Sequence, residues 1–462
     1  MIQAFAPKNR GMLSREREIL MKEITNHIFH RRLDSPLPIG AKADGVWIED
    51  VEGHRYLDAS GGPIVVNVGH GRKEIARSVY EQIAQCDYLH GTMFTTPVVE
   101  EFGQALAEHA PPGIERFYLL STGSEAIEAA IKLARQIHLD SGRPQRFKLI
   151  SRWKSYHGLT LGALSAMGRT AFRVPFAPML SEVVHIPPPY CLRCSYGLKY
   201  PECKIRCALA LDEAIQNIGP DIVSAFLGET VSGATLAGYP PPPGYWPLIR
   251  EICDRYHILL ILDEVMCGMG RTGRWFACEH YDVVPDIVTL GKGLTSGVLA
   301  LSAVGVQSKY FNAIRGGSGH FVHGGTYSHH AVAAAAGLSV VRILEREKLV
   351  ERVDNYGKML GEQLRKRLKD LGPVADIRGI GFMWGLELVK DKDTLTPFPR
   401  KEKVAERVWQ SLFKKGIITY RSTGLAGLDG DALMVAPPFI IEDKEMDFIV
   451  HTIGQVLEED LC

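Results

Sequence analysis

Short apolar runs alternate with segments of helical period through the middle of the chain. Continuous apolar runs of this length are typical of strands buried on both faces of a mostly parallel sheet. The pattern therefore predicts an α/β lobe in which helices cover both faces of the sheet. The predicted strands are residues 116–120, 222–227, 258–262 and 287–290.

The last third of the chain has a different pattern. Residues 331–371 have the period of a long helix with one break, and mixed strands are expected near residues 375–389. Two further helices are expected near residues 400–415 and 442–457. Helices grouped around a few adjacent strands are typical of an α+β arrangement, so this part of the chain predicts a second, smaller lobe.

The N-terminal part of the chain contains a boundary and a hairpin. Strand-forming residues flank the turn pair Glu52-Gly53, which predicts a β-hairpin within residues 45–60. The Pro-rich segment 34–40 precedes the hairpin and marks a boundary. No internal repeat is found, which excludes solenoids and propellers.

Charge and composition narrow the range of partners. Among 462 residues, 53 basic side chains balance 53 acidic ones, so no polybasic field favours nucleic acid or anionic lipid. The longest apolar stretches fall short of the roughly 20 residues that span a bilayer, and residues 1–30 mix charges throughout. Nine cysteines without an export signal favour a reducing compartment. We therefore expect a cytoplasmic protein that acts on small molecules, without nucleic acid or membrane partners.

A strand end followed by a capped helix is a candidate phosphate site. Residues 119–135, LLSTGSEAIEAAIKLAR, run from an apolar strand through Thr-Gly-Ser into a helical pattern. Thr122 and Glu125 form a capping box, and Gly123 permits close approach of another group. The free amides of such a helix start bind phosphate, with Thr122 and Ser124 as additional hydroxyl donors. A well-capped buried helix without a ligand has the same pattern, so both interpretations stay open here.

Two other predicted strands end in ionisable residues. HILLILDEV ends in Asp263 and Glu264, and PDIVTLGKGL delivers Lys292 between two glycines. Ligands of open parallel sheets bind beyond the carboxyl ends of the strands, where these side chains are expected. Lys292 can form a Schiff base if burial or a cationic neighbour lowers the pKa of its amine. Helix capping, salt bridging and simple solvation of the lysine are alternatives that the pattern leaves open.

Two further motifs point to different chemistry. Gly268, Gly270 and Gly273 match G-x-G-x-x-G, but other residues separate them from the preceding strand and only a short helix can follow. We therefore expect no dinucleotide site. Four cysteines in the Pro- and Tyr-rich segment 185–207 have spacings that can surround zinc, but we favour free thiols in an ordered loop and expect no bound metal. They are Cys191, Cys194, Cys203 and Cys207.

Taken together and in order, these segments resemble the class III aminotransferases, a pyridoxal-phosphate family of fold type I that includes ornithine, 4-aminobutyrate and omega-amino acid transaminases. The resemblance covers most of the chain. It runs through LDASGGPIVVNVGHG, STGSEAIEAAIKLAR, SYHGLTLGALS, LILDEVMCGMGRTGRWFA, PDIVTLGKGLTSGVLALSAV, HGGTYSHHAVAAAAGL, VADIRGIGFMWGLEL and MVAPPFII. It implies an N-terminal segment, 1–75, that packs with the small lobe, a large cofactor-binding domain, 76–330, and a small domain, 331–462.

The resemblance also implies roles for individual residues. Lys292 is similar to the family's Schiff-base lysine, whose freed amine then carries a proton during the reaction. Asp263 is similar to the carboxylate that keeps the pyridine nitrogen of the cofactor protonated. Thr122, Gly123 and Ser124 correspond to the phosphate-binding loop of the family, which agrees with the argument from the helix start.

Five further positions complete the implied site. Tyr156 is similar to the aromatic residue that stacks on the cofactor ring, and Val265 to the aliphatic residue on its opposite face. Glu229 matches a carboxylate near the cofactor. Thr326 is similar to a threonine that reaches the phosphate of the neighbouring subunit, which implies a homodimer or a tetramer built from it. Arg421 lies where some members bind a substrate carboxylate, and a solvent-exposed arginine is the alternative.

The expected function follows from the resemblance. The protein is expected to move an amino group from an omega-amino acid or another primary amine to a 2-oxo acid such as pyruvate, through a Schiff base with pyridoxal phosphate. A racemase or aminomutase of the same fold is an alternative, because it begins from the same covalent complex. A non-enzyme alternative is a metal-stabilised scaffold with a vestigial cofactor site.

Overall fold

The computed structural model describes residues 27–31, 33 and 37–462. Most of residues 1–30, on which the expected lack of an export signal rests, and part of the Pro-rich segment lie outside the described residues. The strands are β1 (Gly40–Asp44), β2 (Trp47–Asp50), β3 (Arg55–Asp58), β4 (Ile114–Leu120), β5 (Lys148–Arg152), β6 (Val184–Ile186), β7 (Val223–Glu229), β8 (Leu259–Asp263), β9 (Ile287–Leu290), β10 (Ser302–Gln307), β11 (Val374–Ile380), β12 (Met383–Asp391), β13 (Thr396–Pro397), β14 (Ile417–Ile418), β15 (Tyr420–Ala426) and β16 (Asp429–Val435).

The main helices connect and cover these strands. Single helical turns also occur at Gly61–Ile64 and Thr170–Arg173. The main helices are α1 (Lys73–Gln85), α2 (Pro97–His109), α3 (Gly123–Asp140), α4 (Leu161–Ala166), α5 (Arg206–Ile218), α6 (Tyr245–Tyr256), α7 (Ser308–Gly316), α8 (Ala331–Arg346), α9 (Leu349–Leu368), α10 (Val404–Lys414) and α11 (Asp443–Leu461). Among the described residues, none of the helices is both long enough and apolar enough to cross a membrane.

A seven-stranded sheet forms the centre of the large lobe, with the strand order β4-β10-β9-β8-β7-β5-β6. Strands β6, β5, β7, β8 and β9 run parallel to one another, and β10 is antiparallel to both of its neighbours. The four strands predicted from apolar runs correspond to β4, β7, β8 and β9, and residues 259–263 of β8 are all buried. The predicted mostly parallel α/β sheet is therefore confirmed.

The sheet topology brings the candidate residues to one edge. Strand pairing places Glu229 beside Asp263, and Asp263 beside Thr289, at the carboxyl ends of β7, β8 and β9. Lys292 follows the end of β9 by two residues. Strand β4 points the same way as β9, because both are antiparallel to β10, so Thr122 also lies at this edge.

The smaller lobe contains an antiparallel sheet with the order β11-β12-β16-β15. The predicted long helix is confirmed as α8 and α9, which are separated by a break at Lys348, where φ is +50°. The predicted hairpin is confirmed by the antiparallel pairing of β2 with β3. Strand β3 also pairs in parallel with β14, which joins the N-terminal strands to the C-terminal part of the chain. The boundaries of the three domains stay a prediction.

Candidate active site

A cavity of about 180 Å³ lies at the carboxyl edge of the central sheet. It brings together eight of the ten residues that the sequence resemblance assigned to the site. They are Thr122, Gly123, Ser124, Tyr156, Glu229, Asp263, Val265 and Lys292. Residues more than 150 positions apart in the chain therefore share one small cavity because neighbouring strands end there.

The first turn of α3 forms one wall of this cavity. Thr122 is the N-cap residue: its hydroxyl accepts a hydrogen bond from the Glu125 amide, and the Glu125 carboxylate accepts one from the Thr122 amide at 2.8 Å. The predicted capping box is therefore confirmed. Ser124 Oγ accepts a hydrogen bond from the amide of Leu159 at 3.1 Å, which ties the helix start to a second loop. The positive end of the α3 dipole faces the cavity and favours an anion there.

Asp263 is held in a fixed orientation at the end of β8, where it is only 5% exposed. One carboxylate oxygen lies 2.7 Å from Nδ1 of the buried His157. The other accepts hydrogen bonds from the Val265 amide at 3.0 Å and, more weakly, from the Thr289 hydroxyl at 3.4 Å. These contacts hold both carboxylate oxygens in place at the end of β8. Nε2 of His157 is buried and has no partner among the described residues.

Lys292 begins a short 3₁₀ helix, Lys292–Leu294, and has a backbone φ of +44°. A left-handed conformation in a residue other than glycine costs free energy of order 1 kcal/mol and is often found at functional sites. Burial lowers the pKa of the Lys292 amine to about 8, although the carboxylates of Asp263 and Glu229 act in the opposite direction. The amine therefore meets the condition that the sequence analysis set for a nucleophilic lysine.

Close contacts explain why glycines flank this lysine. A side chain at Gly291 would approach a methyl group of Val265 to 3.2 Å, and one at Gly293 would approach the amide nitrogen of Asn67 to 3.1 Å. Asn67 uses that nitrogen to donate a hydrogen bond to the Gly293 carbonyl at 3.0 Å. The two glycines therefore permit the tight packing that fixes the backbone on both sides of Lys292.

Glu229 and Tyr156 also line the cavity. The Glu229 carboxylate accepts hydrogen bonds from the amides of Tyr156 at 3.1 Å and Gly233 at 2.9 Å. Burial raises the pKa of Glu229, and burial also raises the pKa of the Tyr156 phenol. Tyr156 therefore presents a neutral aromatic ring to the cavity, while Val265 supplies an aliphatic surface.

Two predicted residues lie outside this cavity. Thr326 is exposed on the surface of the described chain. The Arg421 guanidinium lies over the ring of Trp409, 5.4 Å from its centroid, whereas the neighbouring Tyr420 is close enough to influence the pKa of Tyr156. The assignments of Thr326 and Arg421 both stay predictions.

Sequence reasoning missed His157, although it is the residue next to Tyr156 in the YHG motif. Its adjacency to a candidate ring-stacking residue was the available signal. The glycine motif is also accounted for: Gly268, Gly270 and Gly273 follow β8 in a turn that leads only to the 3₁₀ helix Ala277–Tyr281. The four cysteines of residues 185–207 form no disulfide bond among the described residues, and the expectation that they bind no metal stays a prediction.

The residues of the cavity fit pyridoxal phosphate. A primary amine of lowered pKa, a fixed carboxylate and a helix start converge there, matching the aldehyde, the ring nitrogen and the phosphate of that cofactor. Gly123 is part of this fit, because a Cβ atom at that position would lie 2.9 Å from Val265 Cγ1. Only glycine lets the helix start and the Val265 side chain approach each other this closely.

Substitution of Gly123 by alanine is therefore expected to weaken cofactor binding about tenfold, because the added methyl group displaces Val265 and overpacks the site. Titration of the cofactor-free protein with pyridoxal phosphate measures the dissociation constant. Gly316→Ala is a matched control, because Gly316 ends α7 with no atom within 4 Å of the added Cβ. Equal dissociation constants for both variants would contradict this account of Gly123.

The chain is similar to known aminotransferases in sequence and in structure. A sequence model of the family described as aminotransferase class-III matches residues 29–457. A putrescine–pyruvate aminotransferase of Pseudomonas aeruginosa is 35% identical over 90% of this chain and 90% of its own length. A taurine–pyruvate aminotransferase of Bilophila wadsworthia is 34% identical over 94% of this chain and 95% of its own. A solved (S)-enantioselective omega-transaminase from Thermomicrobium roseum superposes with a TM-score of 0.90 at 36% identity, covering 97% and 99% of the two chains.

Proposed function

The chain belongs to the class III aminotransferases, and on this premise we propose that pyridoxal phosphate binds in the Lys292 cavity and that an omega-amino acid is the preferred donor. It is a transaminase of fold type I that moves an amino group from a primary amine to a 2-oxo acid. The same matches do not favour a racemase or aminomutase. Pyruvate is the acceptor we propose, because the names of two relatives include it.

One observation carries the proposal: Lys292, Asp263 and the start of α3 line the same cavity. Pyridoxal phosphate supplies an aldehyde that takes up the amine and a cationic ring that withdraws electrons. An amine, a carboxylate and a phosphate site in separate parts of the molecule would not support this chemistry. Their convergence supports the assignment of all three roles.

Each residue then has a task that follows from its environment. The Thr122 and Ser124 hydroxyls and the first amides of α3 bind the phosphate. Asp263, oriented by His157, holds a proton on the ring nitrogen by its negative charge. Tyr156 and Val265 hold the ring between two apolar surfaces. Lys292 Nζ binds the cofactor, and after its release it removes and returns the substrate proton as a general base and acid.

We also propose a homodimer in which Thr326 contacts the phosphate bound by the other subunit. Apolar side chains are exposed next to this threonine and in the segment of residues 88–94: Tyr327 is 62% and Met93 75% exposed. The His330 ring lies 6.2 Å from Tyr88 and 5.8 Å from Tyr327, so these segments form one surface. Exposed apolar patches of this kind mark protein interfaces. A cytoplasmic location stays a prediction.

Separate measurement of the two half-reactions tests the function. The purified holoenzyme is expected to be yellow, to lose that absorption when an omega-amino acid is added without an acceptor, and to recover it when pyruvate is added. Only a transaminase leaves its cofactor aminated between turnovers and needs a stoichiometric 2-oxo acid. Racemisation or isomerisation of the donor without consumption of an oxo acid is the result that would reject the proposal.

A further inference from the structure

Arg169 lies in the loop between α4 and the helical turn Thr170–Arg173, close to the candidate active site. Its Nη2 donates hydrogen bonds to the carbonyl and the hydroxyl of Thr423, at 3.3 and 3.0 Å. Its guanidinium stacks on the ring of Phe172, 4.5 Å from the centroid. These contacts fix the guanidinium in one place, because Phe172 of the helical turn and Thr423 of strand β15 both contact it.

The charge of Arg169 has no acidic partner among the residues that the structure describes. Its two hydrogen bonds leave from Nη2 alone, and Nε is buried without a hydrogen-bond acceptor. A guanidinium has five N–H donors, and a buried donor left unpaired costs free energy. Burial accordingly lowers the pKa of Arg169. A fixed, partly buried guanidinium with spare donors is suited to bind a carboxylate.

Ring contacts connect Arg169 to a residue on the wall of the Lys292 cavity. The Phe172 ring on which it stacks lies 6.3 Å from the ring of Tyr156, which lines the Lys292 cavity. Burial raises the pKa of Tyr156, and the nearby charges of Arg31 and Arg169 partly oppose that rise. Arg169 itself does not line the Lys292 cavity, and its ring contacts connect it to that cavity through Phe172 and Tyr156.

Arg169 lines a second cavity of about 560 Å³. The other charged residues on its wall are Lys154, Arg400 and Asp429. Lys154 donates hydrogen bonds to two backbone carbonyls, and Arg400 pairs with Glu406. The Asp429 carboxylate accepts a hydrogen bond from the Arg400 amide. Three cations therefore face one carboxylate across this cavity. The balance of charge favours an anionic group over an amine or an apolar chain.

We propose that Arg169 binds the carboxylate at the far end of an omega-amino acid while the amine of the same molecule reacts at Lys292. A carboxylate attached to the reacting carbon stays beside Lys292, whereas Arg169 lies outside the Lys292 cavity. The residue therefore suits substrates in which several bonds separate the amine from the acid. This inference rests on the proposed function, and it is an alternative to the prediction that Arg421 binds the substrate carboxylate.

The test compares matched donors in the first half-reaction of the holoenzyme: 4-aminobutyrate and 6-aminohexanoate against butylamine and hexylamine. The wild type is expected to prefer the acid of at least one pair. Arg169→Gln is expected to reduce that preference about 10- to 100-fold, the contribution of a charge-assisted hydrogen bond. Rates with the alkylamine, and with pyruvate in the second half-reaction, are expected to stay unchanged. Arg169→Lys keeps a positive charge and is therefore expected to lose less of the preference for the acid than Arg169→Gln.

Two controls separate binding from a structural role. Arg31→Gln removes an exposed guanidinium 5.5 Å from the same Phe172 ring and is expected to keep the preference within about threefold. Titration calorimetry of the holoenzyme with hexanoate, which has a carboxylate but no amine, is expected to show binding weakened by the same factor in Arg169→Gln. This second measurement does not depend on turnover.

The outcomes distinguish the two proposals. A wild type that uses alkylamines and pyruvate but shows no preference for the acids would overturn the role of Arg169 and leave the transaminase function intact. Equal losses for acid and alkylamine in the Arg169→Gln and Arg169→Lys variants would also overturn it, because they indicate a structural role. Loss of the preference in Arg421→Gln alone would assign the carboxylate to Arg421 instead. A wild type that aminates its cofactor with none of these donors would contradict the proposed function itself.

Discussion

Replacement of Lys292 by alanine is expected to lower the rate of amino transfer about 10⁴-fold, the upper end of what a positioned proton-transfer group contributes. The side chain supplies the only lysine amine on the wall of the cavity that the structure describes. No neighbouring group can replace it, because the remaining ionisable groups on that wall are the acids Asp263 and Glu229, a phenol and a histidine already paired with Asp263. The measurement is the single-turnover rate of donor consumption.

Two further measurements test whether the missing Lys292 amine causes the lower rate of Lys292→Ala. Borohydride is expected to fix the cofactor covalently to the wild type and not to Lys292→Ala. The rate of pyridoxal phosphate uptake by the cofactor-free wild type is expected to rise about tenfold per pH unit up to about pH 8 and then to level off. Only the neutral amine attacks an aldehyde, and the pKa of the Lys292 amine is about 8. Lys309→Ala, at a position 62% exposed, serves as the control and keeps both properties. Covalent fixation in Lys292→Ala would show that another nucleophile forms the link.

The positions of Lys292, Asp263 and Thr122 at one edge of the sheet could be predicted because each is part of a local pattern, whereas their roles came from the family resemblance. An apolar run fixes where a buried strand ends, and the topology of a parallel sheet then brings the ends to one edge. The capping box around Thr122 is complete within four residues, and the structure forms both of its hydrogen bonds. Such features do not depend on knowing which distant segment packs against them.

The substrate side of the site could not be predicted in this way. On strand β15, successive side chains point to opposite faces, so a shift of one residue exchanges the faces on which Tyr420 and Arg421 lie. The sequence of β15 has no strict alternation that would decide it. The structure directs Arg421 toward Trp409. Arg169 lies in an irregular loop whose position depends on a contact with Thr423, more than 250 residues away.

The role of His157 could not be predicted for a related reason. Its significance comes from the 2.7 Å contact with Asp263, which is 106 positions away along the chain. A histidine in a glycine-containing loop has no periodic context, and its partner is known only once β5 and β8 have been placed in the same sheet. The motif could locate Tyr156, and the three-dimensional structure was needed to connect the residue beside it with the acid.

Replacement of Asp263 by asparagine is expected to lower the rate about 10²- to 10³-fold, the usual effect of removing one fixed electrostatic group from a reaction centre. The amide has nearly the shape of the carboxylate, so packing at the end of β8 is retained while the negative charge is lost. Without that charge the ring nitrogen has no counterion to keep it protonated, and electron withdrawal from the substrate weakens. Single-turnover kinetics measure the loss, which is expected in the proton-transfer step rather than in donor binding.

The hydrogen bonds of Asp263 allow charge to be separated from orientation. Thr289→Val removes only the weak 3.4 Å hydrogen bond to the carboxylate and is expected to cost less than about threefold. His157→Phe leaves the carboxylate charged but removes its 2.7 Å partner, and an intermediate loss is expected if orientation matters in addition to charge. A rate in Asp263→Asn equal to that of Thr289→Val would mean that the carboxylate charge is not used. The rate of amino transfer is therefore expected to fall least in Thr289→Val, more in His157→Phe and most in Asp263→Asn. The reason is that each of these changes removes more of the charge and orientation by which Asp263 holds a proton on the ring nitrogen.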